Sequence, residues 1–181
     1  MIRQAVILVG GLGTRLGALT QRVPKPLLPV GDRPFLDILV QDVARFGFTR
    51  IVLLAGHLGG QVVEGFAGTR RIAGRDVEIR VVVEPEPAGT GGALRFLAPH
   101  AEDRFLLLNG DTWSDIDLRA FAEAPGDALL RMALRPVADA SRYGTVALDQ
   151  GRVRAFLPRG AASGGVMNAG IYRVRRDLVG M

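Results

Sequence analysis

The 181-residue chain contains no cysteine. That excludes disulfide frameworks, zinc–thiolate and iron–sulfur sites and thiol nucleophiles, and it fits a reducing compartment. Histidine occurs only as His57 and His100, which leaves little basis for metal chemistry built on imidazole. Long apolar runs are also missing. The first, residues 5–9, has only Arg3 ahead of it and is stopped by Gly10-Gly11, so it is too short for a membrane span of about 20 residues and lacks the layout of a secretory leader. A cytoplasmic protein with no membrane partner is expected. Aromatic residues make up only 6% of the chain and form no platform interleaved with the basic positions, so the net charge of +5 reads as a solvated surface and no nucleic-acid partner is expected. Lysine is nearly absent too. Of 23 basic residues, 22 are arginines, mostly scattered singly, and the one lysine, Lys25, stands between two prolines.

What is present suits one domain over residues 1–181, with 48% hydrophobic and 23% charged residues and enough length to bury a core. Short β-branched apolar runs at 5–9, 50–55, 77–84, 104–108 and 128–134 read as buried strands. Between them, 34–46 carries Phe35, Leu36, Leu39, Val43 and Phe46 at helical spacing, and 60–66 and 90–97 are helix-compatible. The stretch 160–165, GAASGG, reads as a loop. Strands alternating with helices predict an α/β fold: a Rossmann-like mixed, mostly parallel sheet with helices on both faces. Ligands of such sheets sit beyond the carboxyl ends of the strands, so the loops after the first, third and fourth strands are where chemistry is expected.

The first of these loops, Gly10-Gly-Leu-Gly-Thr-Arg-Leu-Gly17, reads equally well as a phosphate cradle or as a tight turn. It matches neither a dinucleotide fingerprint, which would need glycine at Leu16, nor a Walker loop. Pro24, Pro26 and Pro29 forbid the long helix that both motifs require, and predict a stiff extended segment that presents Lys25 as a point charge for phosphates. After the third strand, Glu84-Pro-Glu-Pro-Ala-Gly-Thr-Gly-Gly-Ala93 puts a carboxylate at the strand end, and Gly89 and Thr90 where a base or phosphate can approach a helix start. The fourth strand ends in Asn109-Gly-Asp-Thr112. Asp111 there is a candidate ligand for Mg²⁺, which prefers one or two carboxylates together with phosphate oxygens and water. Asp115 and Asp117 are expected to face solvent or cap a helix starting at Leu118, and His57 reads as a loop residue.

Taken jointly, GGLGTRLGALTQRVPKPLLPVGDRPFLD resembles the signature of the sugar-1-phosphate nucleotidyltransferases, and the resemblance runs from residue 2 to about residue 175. It implies the fold of the nucleotide-diphospho-sugar transferases. It also implies that Gly10, Gly11, Gly13, Thr14 and Arg15 hold a nucleoside triphosphate, that Lys25 and Arg15 contact the reacting phosphates, and that Asp111 holds a catalytic Mg²⁺. The run GTGGA resembles the family's base-recognition segment, with Glu84, Gly89 and Thr90 in the nucleotide site. Members that handle uracil or thymine often carry glutamine where this chain has Glu84. Guanine offers N1–H and N2–H donors that one carboxylate accepts together, so a preference for GTP is expected.

Tyr143-Gly-Thr-Val146 and Val166-Met-Asn-Ala-Gly-Ile-Tyr172 resemble segments that line the family's sugar pocket. The resemblance assigns the sugar phosphate to Asn109, Tyr143, Gly144, Arg159, Asn168 and Gly170. Where the family carries Glu-Lys, this chain reads Leu157-Pro158-Arg159-Gly160; Arg159 suits a phosphate, whereas Pro158 cannot replace a carboxylate. Family members run on to a further acidic residue that completes the metal site, and the sequence ends at Met181 without a counterpart, which predicts either a truncated chain or impaired turnover. The reaction implied is in-line attack of a sugar 1-phosphate on the α-phosphorus of the triphosphate, releasing pyrophosphate. Among branches, the motif combination looks most like the D-glycero-α-D-manno-heptose 1-phosphate guanylyltransferases. Mannose-1-phosphate guanylyltransferases and N-acetylmuramate-1-phosphate uridylyltransferases are the alternatives, and a nucleotide-binding module without turnover is the alternative of another class.

Overall fold

In chain order the elements are β1 (Gln4–Leu8), α1 (Leu19–Arg22), β2 (Pro29–Val30), β3 (Arg33–Pro34), α2 (Phe35–Arg45), β4 (Arg50–Ala55), α3 (Gly59–Phe66), β5 (Gly68–Ile72), β6 (Arg75–Val83), α4 (Gly89–Leu97), β7 (Arg104–Asn109), α5 (Leu118–Glu123), β8 (Leu130–Val137), β9 (Thr145–Asp149), β10 (Arg152–Leu157) and β11 (Gly165–Arg175). This computed structural model describes every residue except Leu12, Thr14, Arg15, Pro87, Ala88, Ala161, Ala162, Ser163 and Met181, and every side chain of α4 except that of Thr90. Most of the 160–165 loop expected from the sequence thus lies outside the described residues.

Seven strands form one mixed sheet in the order β5-β6-β4-β1-β7-β11-β8. Its centre is parallel, with β1 flanked by β4 and β7 and with β6 beyond β4. Antiparallel pairs close both sides, β5 on β6 and then β11 on β7 and β8 on β11. The expected parallel sheet is therefore confirmed at its centre, while β2, β3, β5, β9 and β10 were not foreseen as strands, and the run 128–134, expected to be buried, falls in the only partly buried β8. Their sequences explain the omission: β5 is GTRRI and β10 is RVRAFL, too polar and too exposed to show a buried run.

Alternation along the central strands sends neighbouring side chains to opposite faces. Ala5, Ile7, Ile51, Leu53, Leu106 and Leu108 pack on one face against α2, α3 and α5. Val6, Val52, Leu54, Phe105 and Leu107 pack on the other against Ala93 and Leu97 of α4. Helix α2 buries Leu36, Leu39, Val40 and Val43, the spacing of one helical face. Asp117 caps α5, its carboxylate accepting from the Ala120 N–H at 2.8 Å, as the sequence indicated. Among the described residues no helix is long and apolar enough to cross a membrane.

Helix α5 is clamped to the start of β1. The Arg119 guanidinium donates to the Ile2 and Phe46 carbonyls at 2.6 and 2.9 Å and lies 4.2 Å over the Phe48 ring. The Ile2 N–H donates to the Glu123 carboxylate at 2.8 Å. That hydrogen bond, more than any other influence, holds the Glu123 carboxyl below its ordinary value of 4.5. A depressed folded value means that Glu123 stabilises the fold above the unfolded value, and that this contribution is lost as pH falls through the folded one. Thermal melts across the acid range are expected to show a loss of stability below pH 4.5 that is shallower in Glu123→Gln.

Candidate active site

The parallel ladder continues past the strand ends through backbone contacts that only glycine allows. The Gly110 N–H donates to the Leu8 carbonyl at 2.9 Å, and a Cβ on Gly110 would collide with that same oxygen. A Cβ on Gly56, after β4, would lie 2.9 Å from the Gly10 carbonyl oxygen, and one on Gly10 would lie 2.8 Å from Oε1 of Glu84. The Glu84 N–H donates to the Ala55 carbonyl at 2.7 Å. The ends of β1, β4, β6 and β7 are thereby drawn together.

These ends border a cleft of about 540 Å³, at the carboxyl side of the parallel strands where such folds bind ligands. Gly10 and Gly11 follow β1, Glu84 follows β6, Gly89 starts α4, Asn109 ends β7 with Asp111 just beyond it, and Lys25 comes from the proline-rich segment; all line the cleft. The three loops singled out from the sequence are the three that meet here.

Lys25 does not sit on a fully extended strand. Pro24 is extended, but Lys25–Leu27 forms one 3-10 turn, with Leu27 and Leu28 N–H groups donating to Pro24 and Lys25 carbonyls at 2.8 and 3.1 Å. Proline 26 tolerates the turn because its fixed φ suits it and it has no N–H to satisfy. Gly13, at φ +64°, comes close behind: a Cβ there would lie 3.2 Å from Cβ of Lys25 and 2.8 Å from Cγ2 of Thr20. The position thus backs the lysine stem. The Lys25 amine donates to Oδ2 of Asp111 at 2.7 Å, and the Thr112 hydroxyl donates to Oδ1 at 3.2 Å. Both members of the ion pair keep partial exposure, 32% for Lys25 and 43% for Asp111.

Asn168 and Gly170 are not among the residues that line the cleft, but they contact two that are, Tyr172 and Asn109. A register shift falls between Asn168 and Tyr172 in β11, and Gly170 has φ +73°. Residues four apart on a regular strand are about 13 Å apart, yet the bulge brings the Asn168 amide within 2.6 Å of the Tyr172 hydroxyl, to which it donates. The Asn168 side-chain oxygen accepts from the Gly170 N–H at 2.8 Å. A Cβ on Gly170 would lie 2.7 Å from the Asn109 amide nitrogen, so the bulge holds two side chains of the cleft wall, Asn109 and Tyr172.

Tyr143, Gly144 and Arg159 flank the β9–β10 hairpin and do not line this cleft among the described residues. Thr14, Arg15 and the Thr90 side chain lie outside the described residues. Pro26, Gly110 and Tyr172 line the cleft without having been singled out. The glycine of Asn-Gly-Asp and the last residue of Val166-to-Tyr172 were in quoted motifs; the signal was there, but not its geometry. Two residues beyond Asp111, Trp113 is half-exposed at 49% beside a surface hollow shared with Arg33 and Ile72.

Gly110→Ala is expected to lower stability by about 2 kcal/mol by forcing β7 away from β1. Gly11→Ala, with open space around the new methyl, leaves it unchanged. Urea unfolding of both variants checks the pair.

Residues 4–179 match the family model described as nucleotidyl transferase. The D-glycero-alpha-D-manno-heptose 1-phosphate guanylyltransferase of Aneurinibacillus thermoaerophilus is 36% identical over 178 residues, covering 97% of this chain and 76% of that protein. Its namesake from Campylobacter jejuni is 34% identical over 176 residues, covering 97% and 77%. Among solved structures, HddC from Yersinia pseudotuberculosis superposes with a TM-score of 0.85 at 29% identity, covering 98% of this chain and 79% of that one, and it has also been solved complexed with GMP-PN. The sheet, the cleft at its carboxyl ends and these likenesses agree, and the chain belongs to the nucleotidyl transferase family.

Proposed function

We propose that the protein, as a single nucleotidyltransferase domain over residues 1–181, transfers GMP from GTP to D-glycero-α-D-manno-heptose 1-phosphate, giving the GDP-sugar and pyrophosphate. Lys25, Asp111, Glu84 and the Gly10-Gly11 backbone share one cleft, and that observation carries the reading. The names of the relatives from Aneurinibacillus and Campylobacter and the GMP-PN complex of HddC support the choice of base and sugar. A cytoplasmic location follows from the supply of nucleoside triphosphate.

The donor set suits a divalent cation, taken as Mg²⁺. Among the described residues no group of three or more His, Cys, Asp and Glu side chains could hold a metal alone, and Asp111 lines the cleft with its carboxylate partly exposed. One carboxylate plus phosphate oxygens and water is the ligand set that Mg²⁺ favours. When bound, the cation supplies charge neutralisation on the phosphate oxygens.

The chain's own residues bind and orient. The Gly10-Gly11 backbone and the Lys25 amine receive the triphosphate, and the Glu84 carboxylate accepts the N1–H and N2–H donors of guanine. On the other wall Asn109 and Tyr172, held by Gly170 and Asn168, face the sugar phosphate. One oxygen of the sugar phosphate forms a bond to the α-phosphorus as the bond to the β-phosphate oxygen breaks, and pyrophosphate leaves with that electron pair. No proton has to move and no protein nucleophile is needed. Alignment and charge neutralisation are what the site contributes.

Pyrophosphate release is to be measured with each nucleoside triphosphate against heptose-, mannose-, glucose- and N-acetylmuramate 1-phosphate. Turnover with GTP and the heptose phosphate is expected, reduced on the order of 10²-fold or more in Asp111→Asn. GTP with mannose 1-phosphate, or UTP with N-acetylmuramate 1-phosphate, would move the assignment to those relatives. Nucleotide binding without pyrophosphate release would make the protein a binding module. Replacing Glu84 by Gln is expected to cut the preference for GTP over UTP roughly 10- to 100-fold, read as the ratio of kcat/KM values.

A further inference from the structure

Lys25 serves phosphate and Asp111 a divalent cation in the proposed reaction, yet in the free protein the two are bonded to each other at 2.7 Å. They come from segments 86 residues apart, so the contact is made by the fold. We propose that Lys25 is a resident stand-in for the metal: its ammonium occupies Asp111 until a triphosphate draws it away, so that metal and nucleotide each bind weakly alone and strongly together. The inference rests on the assignment of Asp111 as the metal carboxylate.

Each ligand enters by exchanging with a partner already in place. A dication arriving alone must displace the ammonium from Oδ2 of Asp111 and then sit beside it, positive against positive. A triphosphate arriving alone must take Lys25 and then face the Asp111 carboxylate with that ammonium withdrawn, negative against negative. Arriving together, they satisfy both: the ammonium moves to phosphate and the carboxylate to the cation, and no charge is left facing its like. The coupling is reciprocal, each ligand tightening the other by the same factor.

The local structure suits such an exchange. The backbone of Lys25 is fixed by Pro24, Pro26 and the 3-10 turn, and Gly13 lies against its stem, so only the flexible outer chain needs to swing. The pair is partly open to water at 32% and 43%, and ion pairs with that exposure hold weakly and are readily traded. A lysine serves here where an arginine fork would hold a carboxylate by two bonds and release it less readily. In a chain with 22 arginines, the lysine stands where a trade is needed.

The test titrates Mn²⁺ into the full chain, followed by electron paramagnetic resonance, first without nucleotide and then with GTP but no sugar phosphate. Without nucleotide, Lys25→Met and Lys25→Gln are expected to bind Mn²⁺ about tenfold tighter than the unaltered protein, and Lys25→Arg to bind it no tighter. GTP is expected to tighten Mn²⁺ binding more in the unaltered protein than in Lys25→Met or Lys25→Gln. Thermal melts of each variant establish that it is folded, and the Met and Gln variants stand in for one another. Unchanged or weaker Mn²⁺ binding in Lys25→Met and Lys25→Gln overturns the stand-in role. If that occurs while Asp111→Asn abolishes Mn²⁺ binding, the metal assignment survives and only this inference fails. Undiminished Mn²⁺ binding in Asp111→Asn removes the metal assignment itself.

Discussion

Where β1 ends, the Leu8 carbonyl and the Gly10 backbone leave no room for a methyl group on either neighbour. Gly110 presses on the first and Gly56 on the second. This closeness lets the ladder hydrogen bonds run beyond the strands, from Val9 to Leu54 and from Gly110 to Leu8, so the loops leave the sheet in fixed directions. Asp111 follows immediately on one such bond, and Glu84 makes another with Ala55. The positions of Asp111 and Glu84 in the cleft are thus set by backbone hydrogen bonds that continue the sheet. The site depends on a few missing β-carbons.

The cations divide the work between the two ends of the sheet. At the far end arginines act as clamps. Arg173, almost wholly buried, donates to the Ala124 and Gly126 carbonyls, and Arg119 bridges Ile2 and Phe46. Burial draws the Arg173 value down, aided by the charges of Arg131 and Arg104, yet a guanidinium tolerates this because it spreads its charge and bonds several acceptors at once. At the cleft, the lysine makes a single contact to a carboxylate. One kind of cation is used where chain must be held, the other where a partner must change.

Much of this was legible in the sequence, and the reasons differ by element. Strands β1, β4 and β7 are continuous apolar runs because they are covered on both faces, so their limits and the loops beyond them could be read directly. Glu84 and Asp111 could be singled out because proline and glycine mark where a parallel strand ends, and Lys25 because it is the one lysine of the chain and stands between two prolines. The antiparallel side was less visible. Strand β10 is exposed throughout and β9 is buried only over its first two residues, so neither carries a buried periodicity. Asn168 and Gly170 were singled out for the sugar phosphate, but their contacts with Tyr172 and Asn109 could not be read, because a bulge brings together residues that an ordinary strand would keep far apart. A positive φ at one glycine decides that geometry, and a sequence gives the glycine without the sign of its φ.

The position of Trp113 carries a consequence for how this protein can be observed. It is the only indole in the chain, it stands two residues beyond Asp111, and half of it faces water. Emission excited at the red edge of protein absorbance thus comes from one place, the segment that leads away from the cleft carboxylate, and not from the core. Any event that shifts this segment alters the solvent around a single emitter, so the site reports on itself optically without an added label.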